Sequence, residues 1–228
     1  MQNFWSDLLS GVPGAALIAG VVMAGLWAVN LLYDWGMPQY VSRKMGHVVG
    51  GFAFLMGGIL FASAWWPMII AAFFALLLLG ARLFKPHTFR GVGGDGRDSS
   101  IYAEVWFALV AVPVFGIAWY WLDFPGIAVS CLLFMAWGDG VTGLVRAKVY
   151  RRPVKGAWGS AAMLVICLAI AIFLVRPVWI GIAGAMAAVI SERVFGDLGA
   201  VRWADDNWAI PAASLLTIVL LLYFTGGI

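Results

Sequence analysis

The chain has 228 residues, of which 64% are hydrophobic and 11% are charged, and its mean hydropathy is +0.96. Soluble domains carry about 25% charged residues, and no single soluble core could bury this much apolar surface. The composition therefore excludes a soluble globular protein and predicts an integral membrane protein, folded as an all-α, polytopic bundle of helices.

Apolar runs long enough to cross a bilayer follow one another along the whole chain. A hydrocarbon core about 30 Å thick needs roughly 17–25 apolar residues per helix. Eight spans are predicted at 12–33, 46–64, 67–83, 101–122, 125–145, 158–175, 178–194 and 208–225. Only Arg176-Pro177 separates the sixth span from the seventh, so seven spans are the alternative. Because no separable soluble domain or internal repeat is evident, residues 1–228 are assigned to a single membrane domain.

The net charge of +3 is unevenly distributed among the loops. Thirteen of the 14 Lys and Arg residues follow the first, third, fifth or seventh span, and Arg176 alone lies in the other set of loops. Since positive charge marks the cytoplasmic side, these loops are predicted to be cytoplasmic and both termini external. Most acids lie on the same side, although acids contribute little to orientation. This indicates a polar reaction site at the cytoplasmic interface.

The motif RKMGH, which contains Arg43, Lys44 and His47, lies at the entrance to the second span. If this stretch is helical, Arg43 and His47 lie four residues apart on one face. Basic residues at a helix end also serve as membrane anchors, and that role is favoured for the motif taken alone. A histidine at the mouth of an apolar helix is harder to explain as an anchor.

Asp139 lies between two glycines at the end of a long apolar run. A charge at membrane depth costs at least about 2.5–3.5 kcal/mol and is a functional-site hypothesis by default. The spacing of Asp139, Thr142 and Arg146 places all three on one helical face. The glycines would let backbone or a ligand approach the acid closely. The alternative is a structural ion pair of Asp139 with Arg146 or Lys148.

The stretch KGAWGS, from Lys155 to Ser160, precedes the sixth span. A lysine, small residues and a hydroxyl at a helix N-terminus suit an anion, because unpaired N–H groups and the positive end of the helix dipole both favour phosphate. The alternative is a plain loop in which Ser160 is the N-cap of the helix.

Acidic and amide side chains flank the last loop. Glu192 lies at the end of the seventh span, and Asp205, Asp206 and Asn207 lie at the start of the eighth. A carboxylate at a helix N-terminus suits the dipole, so capping explains one of them. The group as a whole is typical of the oxygen ligands that hold Mg²⁺ on a phosphate.

Taken in order, the four motifs resemble the dolichol kinase and phytol kinase family of membrane enzymes, over about residues 43–211. The matching residues are Arg43-Lys44 with His47, Gly138-Asp139-Gly140 with Gly143, Lys155 with Gly159-Ser160, Glu192, Asp205-Asp206-Asn207 and Pro211. That family is similar to CTP-dependent diacylglycerol kinase and, more distantly, to CDP-diacylglycerol synthases. The resemblance implies CTP as phosphoryl donor, a long-chain isoprenoid alcohol as acceptor, and Mg²⁺. The extra N-terminal spans of the eukaryotic dolichol enzymes are absent, which favours the phytol or bacterial polyprenol branch and leaves the acceptor length open.

These residues are given the following predicted roles. The metal ligands are Asp139, Asp205 and Asp206. The nucleotide and phosphate ligands are Gly138, Gly140, Arg146, Lys148, Lys155, Gly159, Ser160 and Asn207. The catalytic residues are Asp139, His47, Glu192, Arg43 and Lys44, with either His47 or Glu192 as the base for the acceptor hydroxyl.

Two other functions are consistent with parts of this pattern. A cytidylyltransferase that makes a CDP-lipid would use much the same groups. A transporter would place its coupling sites near the bilayer midplane, whereas the charges here gather at one face. The expected partners are CTP, a membrane lipid alcohol and the bilayer, without nucleic acid, and homo-oligomerisation is left open.

Overall fold

The structure is a computed structural model that describes residues 4–85, 87–93, 102–151, 154–196, 199, 201 and 205–228. Within these ranges the chain is helical with short connections, and its one extended feature is an isolated bridge between Phe195 and Val201. The all-α prediction is confirmed. Part of the polar loop after the third span, including Arg97, lies outside the described residues, as do Arg152 and Arg202 from the orientation argument.

Two compact units divide the chain, Met1–Pro125 and Gly126–Ile228, here called unit 1 and unit 2. Each is described by itself. The assignment of residues 1–228 to one membrane domain stays a prediction.

Unit 1 contains three long helices and several short ones. They are α1 (Phe4–Asp34), α2 (Gln39–Leu60), α3 (Trp65–Phe84), α4 (Arg90–Gly93), α5 (Ala103–Leu109) and α6 (Ala111–Val114), followed by a π-helical segment (Phe115–Trp121). Its apolar core joins Leu26 and Val29 of α1 to Phe74 and Leu78 of α3. These residues recur at helical spacing, so each helix buries one face and leaves another to the membrane.

Unit 2 is built around one helix that contains two π-helical segments. Its elements are α7 (Pro125–Leu133), a π-helical segment (Phe134–Asp139), α8 (Gly140–Val145), a second π-helical segment (Arg146–Tyr150), α9 (Ala157–Leu174), α10 (Val178–Val194) and α11 (Asp206–Phe224). The first four form a continuous span, Pro125–Tyr150. In its most apolar stretch 83% of the residues are buried, whereas the corresponding shares are 28% for α9 and 39% for α11. The helix that carries Asp139 is therefore the central one of its unit.

Each of the eight predicted spans overlaps a helix in the described part of the chain. Six helical stretches in the described part of the chain are long and apolar enough to cross a membrane, which makes the protein an integral membrane protein. The two others are α2, whose first half holds three basic side chains, and α10, which has 17 residues. The count of eight and the external termini stay predictions.

Two predicted helix boundaries are wrong in a way that bears on function. Helix α2 begins at Gln39, several residues before the predicted start, so Arg43 and Lys44 are helical rather than in a loop. The fifth span continues to Tyr150 and ends where Arg151 takes a left-handed conformation (φ 52°), so Arg146 and Lys148 are also helical. In both cases hydropathy ended the span before the basic residues, although a charged segment can extend a helix beyond its apolar run.

Candidate active site

Asp139 is completely buried at the junction of a π-helical segment and α8. The hydroxyl of Thr142 donates to the Asp139 backbone carbonyl at 2.8 Å and lies 3.1 Å from its Oδ1. Thr142 and Arg146 are buried as well. All three residues are therefore buried in one helix, and Asp139 and Thr142 are in hydrogen-bond contact.

Two π-helical segments flank these residues. One π-helical segment ends at Asp139 and the next begins at Arg146. Such segments are rare and occur frequently at functional sites. They alter which side chains of the central helix point the same way. The sequence analysis did not predict them.

The two glycines beside Asp139 were expected to leave room for a ligand, and for Gly138 the observed neighbour is another helix. A Cβ atom on Gly138 would lie 2.8 Å from Cys167 Sγ and 3.2 Å from Met163 Cγ of α9. Gly138 thus permits close packing of α9 on the central helix, which corrects the ligand-access interpretation. Gly140 begins α8 and is buried.

Arg146 and Glu192 form a buried ion pair between the central helix and α10. The Arg146 guanidinium donates to Glu192 Oε1, and the two side chains are 5% and 1% exposed. They are 46 residues apart in sequence. The sequence had suggested Arg146 as a partner of Asp139, and the structure shows Glu192 as a partner of Arg146 in another helix.

Lys155 links three segments of unit 2. Its ammonium group donates to the backbone carbonyls of Glu192 and Phe195 at the end of α10. It also lies 3.5 Å from Glu192 Oε1 and 3.8 Å from Asp206 Oδ2. A cation at a helix C-terminus is favoured by the helix dipole, so Lys155 has a structural role in addition to its charge.

Asp139, Glu192 and Asp206, with Arg146 and Lys155, are here called the charge cluster. Asp139 and Asp206 lie close enough to Glu192 to act on it electrostatically. The cluster brings three carboxylates and two cations into one part of unit 2, and buried charges are stable only when compensated.

The predicted metal ligands are only partly drawn together. In the described part of the chain, no three His, Cys, Asp or Glu side chains form a ready metal-binding group. Asp205 is the N-cap of α11, since its Oδ1 accepts from the Asn207 backbone N–H at 2.8 Å. Mg²⁺ on a nucleotide usually takes one or two carboxylates and completes its shell with phosphate oxygens and water. The donor chemistry of Asp139 and Asp206 fits this need.

The start of α9 differs from the predicted anion site. The helix begins at Ala157 after Gly156, so Ser160 lies inside it and is not its N-cap. The Ser160 N–H already bonds to the Gly156 carbonyl at 3.3 Å, and the Trp158 N–H donates to the Tyr150 hydroxyl at 3.1 Å. The N–H groups expected for phosphate after Ser160 are thus ordinary helical donors.

The other predicted phosphate ligands of unit 2 differ in their exposure to solvent. Lys148 is exposed, whereas Gly159 and Asn207 are buried. Two residues were missed by sequence reasoning. Arg193 is exposed and its guanidinium lies 3.5 Å from Ser160 Oγ. Gly196 adopts a left-handed φ of 85°, and a Cβ there would lie 2.9 Å from Asp206 Oδ2.

In unit 1, the RKMGH motif is helical and mostly buried. Lys44 and His47 are 2% and 5% exposed, and the His47 ring centroid lies 4.6 Å from that of Phe107. Arg43 is half-buried. Burial of Lys44 contradicts the anchor interpretation for that residue, because an anchor must reach the headgroups.

Unit 1 also contains a buried ion pair, and the sequence analysis did not predict it. Arg82 Nη1 lies 2.9 Å from Glu104 Oε1 and donates to the Gly93 carbonyl at 3.1 Å. The guanidinium also lies over the Tyr102 ring, 5.2 Å from its centroid. The pair connects α3 to α5 across 22 residues of sequence, a distance at which spacing rules do not operate.

Membrane-spanning helices with buried, compensated ionisable side chains at one end define this chain as a polytopic membrane protein with a polar site. Comparison with known proteins then supplies relatives. A phytol kinase from Synechocystis sp. is 29% identical over 192 residues, covering 78% of this chain and 78% of the relative. The probable phytol kinase 2, chloroplastic, of Oryza sativa subsp. japonica is 25% identical over 229 residues, covering 94% of this chain and 67% of the relative.

Phytol kinase 1, chloroplastic, of Arabidopsis thaliana is 24% identical over 226 residues, covering 87% of this chain and 74% of the relative. These similarities confirm the resemblance to the phytol kinase family over most of the chain. No family model matches the chain, and no solved structure matches it.

Proposed function

We propose that this protein is a membrane lipid kinase that transfers the terminal phosphoryl group of CTP to the hydroxyl of an isoprenoid alcohol of the phytol, polyprenol or dolichol type. The reaction would take place at the cytoplasmic interface and require Mg²⁺. The observation that carries the proposal is the charge cluster of unit 2, in a chain similar to three phytol kinases. Buried ionisable side chains in a membrane protein are a functional-site hypothesis by default.

The atoms balance as in any kinase reaction. The alcohol oxygen forms a bond to the γ-phosphorus, the bond from that phosphorus to the β–γ bridging oxygen breaks, and CDP leaves. The hydroxyl proton passes to a base. Such transfers need little covalent chemistry from the protein and depend on positioning and charge stabilisation.

Unit 2 is assigned to the donor. Asp139 and Asp206 would hold Mg²⁺, which supplies charge neutralisation on the phosphates when bound. Exposed Lys148 and Arg193 can reach phosphate oxygens from the surface. Buried Arg146 holds Glu192 in place, and Lys155 fixes the end of α10 beside Asp206. Asn207 and Asp205 shape the start of α11.

Unit 1 contains an apolar cavity that suits the hydrocarbon part of an acceptor, and His47, which lines it, is the favoured candidate for the base. Of the two predicted candidates, Glu192 is tied to Arg146 and lies by Lys155. His47 instead lines an apolar cavity. Proton transfer requires hydrogen-bond reach of the reacting hydroxyl, and a lipid alcohol reaches an apolar cavity more readily than a charged cluster.

A substrate panel tests the proposal. Purified protein in lipid vesicles is given γ-labelled CTP or ATP, with phytol, geranylgeraniol, polyprenol or diacylglycerol as acceptor. We expect labelled prenyl phosphate with CTP, loss of labelling after EDTA treatment, and recovery on addition of Mg²⁺. Release of CDP indicates a kinase, whereas release of pyrophosphate would indicate the cytidylyltransferase. Failure to label any acceptor with either nucleotide would refute the kinase assignment.

A further inference from the structure

Unit 1 contains an elongated cavity between α1, α2, α3 and α5. Along α2 its lining runs from Arg43 to Gly57, a rise of about 21 Å at 1.5 Å per residue. The hydrocarbon layer of one bilayer leaflet measures about 15 Å. The cavity lining therefore extends along α2 over a distance comparable with a lipid chain in one leaflet.

Polar groups line this cavity at one end only. Arg43, His47 and Glu104 are its charged or titratable lining residues. Arg43 and His47 lie in the first turns of α2, and Glu104 lies in the first turn of α5. Glu104 is paired with Arg82. Arg43 is a separate cation at the same end of the cavity.

The Arg43 side chain has a donor that the rest of the cavity does not satisfy. Its Nε is buried and makes no hydrogen bond within the described part of the chain. A buried donor without a partner is destabilising, because it has lost its hydrogen bonds to water. A ligand oxygen at this end of the cavity would remove that cost.

The body of the cavity is apolar throughout. Large side chains, among them Phe54, Phe74 and Phe115, face small ones such as Ala53 and Ala71. Hydrophobic pockets with a few polar groups at one point are the usual form of a small-molecule site. The ligand that matches this cavity is an amphiphile with one oxygen-bearing end and an unbranched or methyl-branched hydrocarbon chain.

We propose that this cavity holds the hydrocarbon chain of the acceptor alcohol, with its hydroxyl at Arg43 and His47, and that its depth selects the chain length. This inference rests on the proposed function. A phospholipid acyl chain is the competing occupant. It would leave catalysis indifferent to changes at the deep end of the cavity.

The substitution Ala71→Phe tests the deep end. Ala71 is buried in α3 and lines the cavity, and it lies about 16 Å along the helix from Arg82 at the polar end. Phosphorylation is measured with geraniol, farnesol and geranylgeraniol, which differ by one isoprene unit each. We expect the rate for geranylgeraniol to fall at least about tenfold and that for geraniol less than about twofold, since small changes in a hydrophobic pocket discriminate by factors of about 10–200.

The matched control is Ala16→Phe, which makes the same change at an exposed position of α1. It should leave all three rates unchanged. Equal losses for all three alcohols in Ala71→Phe, or equal effects of the two variants, would overturn chain-length selection and leave the kinase assignment intact.

A binding measurement makes the inference independent of activity and of the folding of Ala71→Phe. Wild-type protein is irradiated with a diazirine-bearing farnesol analogue without nucleotide, and labelled peptides are identified by mass spectrometry. Labelling of cavity residues of α2 and α3 that excess farnesol suppresses supports the proposal. Labelling confined to membrane-facing positions such as Leu76, or competed only by phospholipid, overturns it. A wild-type protein that binds the analogue in the cavity but phosphorylates no alcohol would refute the proposed function alone.

Discussion

Units 1 and 2 each gather buried charged side chains at one end of their helices, but they compensate these charges differently. In unit 2, Arg146 and Lys155 share the carboxylate of Glu192, and Lys155 also approaches Asp206. In unit 1, Arg82 and Glu104 form an ion pair. Arg43 borders an apolar cavity, and its buried Nε makes no hydrogen bond within the described residues.

The difference indicates two kinds of site. A network whose cations are already fixed by protein carboxylates holds a rigid framework, and its carboxylates have the donor chemistry that a nucleotide-bound metal ion needs. A cavity with one cationic end and an apolar body suits a molecule that brings its own oxygen and its own hydrocarbon. The following predictions test whether this division between units is correct.

The largest effect is expected on breaking the buried pair of unit 2. Glu192→Ala leaves Arg146 and Lys155 without the carboxylate that they share, and removal of one partner of a buried pair costs about 3–5 kcal/mol. Thermal unfolding in detergent, followed by tryptophan fluorescence, should show a clearly lowered midpoint.

Two comparisons sharpen this result. The double change Arg146→Met with Glu192→Leu should recover much of the loss, because a buried pair can be replaced by apolar side chains at little cost. Glu104→Ala should cost less than Glu192→Ala, since Arg82 keeps the Gly93 carbonyl and the Tyr102 ring. Equal midpoints for all these variants and the wild type would show that the pair in unit 2 does not hold the framework together.

The second prediction concerns catalysis and rests on the proposed function. Asp139→Asn keeps the size of the side chain and its contact with Thr142, but it removes the charge that is assigned to Mg²⁺. Loss of one well-placed electrostatic group costs about 10²–10³-fold in rate, so lipid-alcohol phosphorylation in vesicles should fall at least about 100-fold. The unfolding midpoint should not fall, and near-normal turnover would exclude Asp139 from the metal site.

Much of the fold could be predicted from the sequence, because membrane insertion leaves a direct record in hydropathy. All eight apolar runs overlap helices, and the short connections at 61–64, 122–124 and 175–177 lie at or beside predicted span ends. The helix ends could not be predicted as well. The extension to Tyr150 and the early start of α2 carry basic residues, which hydropathy assigns to loops.

The candidate site was predicted in its residue types and only partly in its contacts. Asp139, Glu192 and Asp206 were singled out because charge is costly in a membrane. Arg146 and Glu192 lie in different helices, so spacing along the chain could not show that they meet. Capping of the last helix by one of the acids was expected, and Asp205 provides it. The cavity of unit 1 depends on how four helices pack, and no local pattern encodes it.

The third prediction addresses Gly138, where packing replaced the expected ligand access. In Gly138→Ala the added methyl would lie 2.8 Å from Cys167 Sγ, and overpacking a tight contact costs about 1–3 kcal/mol. The unfolding midpoint should fall moderately. Adding Cys167→Ala should restore part of the loss, because it removes the clashing sulfur. If Gly138→Ala is as stable as the wild type yet inactive, the ligand-access interpretation returns.

The smallest effect is expected at the ion pair between Asp34 and Arg90 in unit 1. Their charged atoms are 2.9 Å apart, as close as those of Arg82 and Glu104, but the side chains are 47% and 40% exposed. Water screens such a pair, and exposed pairs contribute under about 1 kcal/mol. Asp34→Asn should therefore leave the unfolding midpoint and the phosphorylation rate near wild-type values. This variant is also the matched control for Asp139→Asn, because both replace one aspartate by its amide. A large loss of stability in Asp34→Asn would mean that burial is not what distinguishes the charged pairs of this protein, and the contrast drawn between exposed and buried pairs would fail with it.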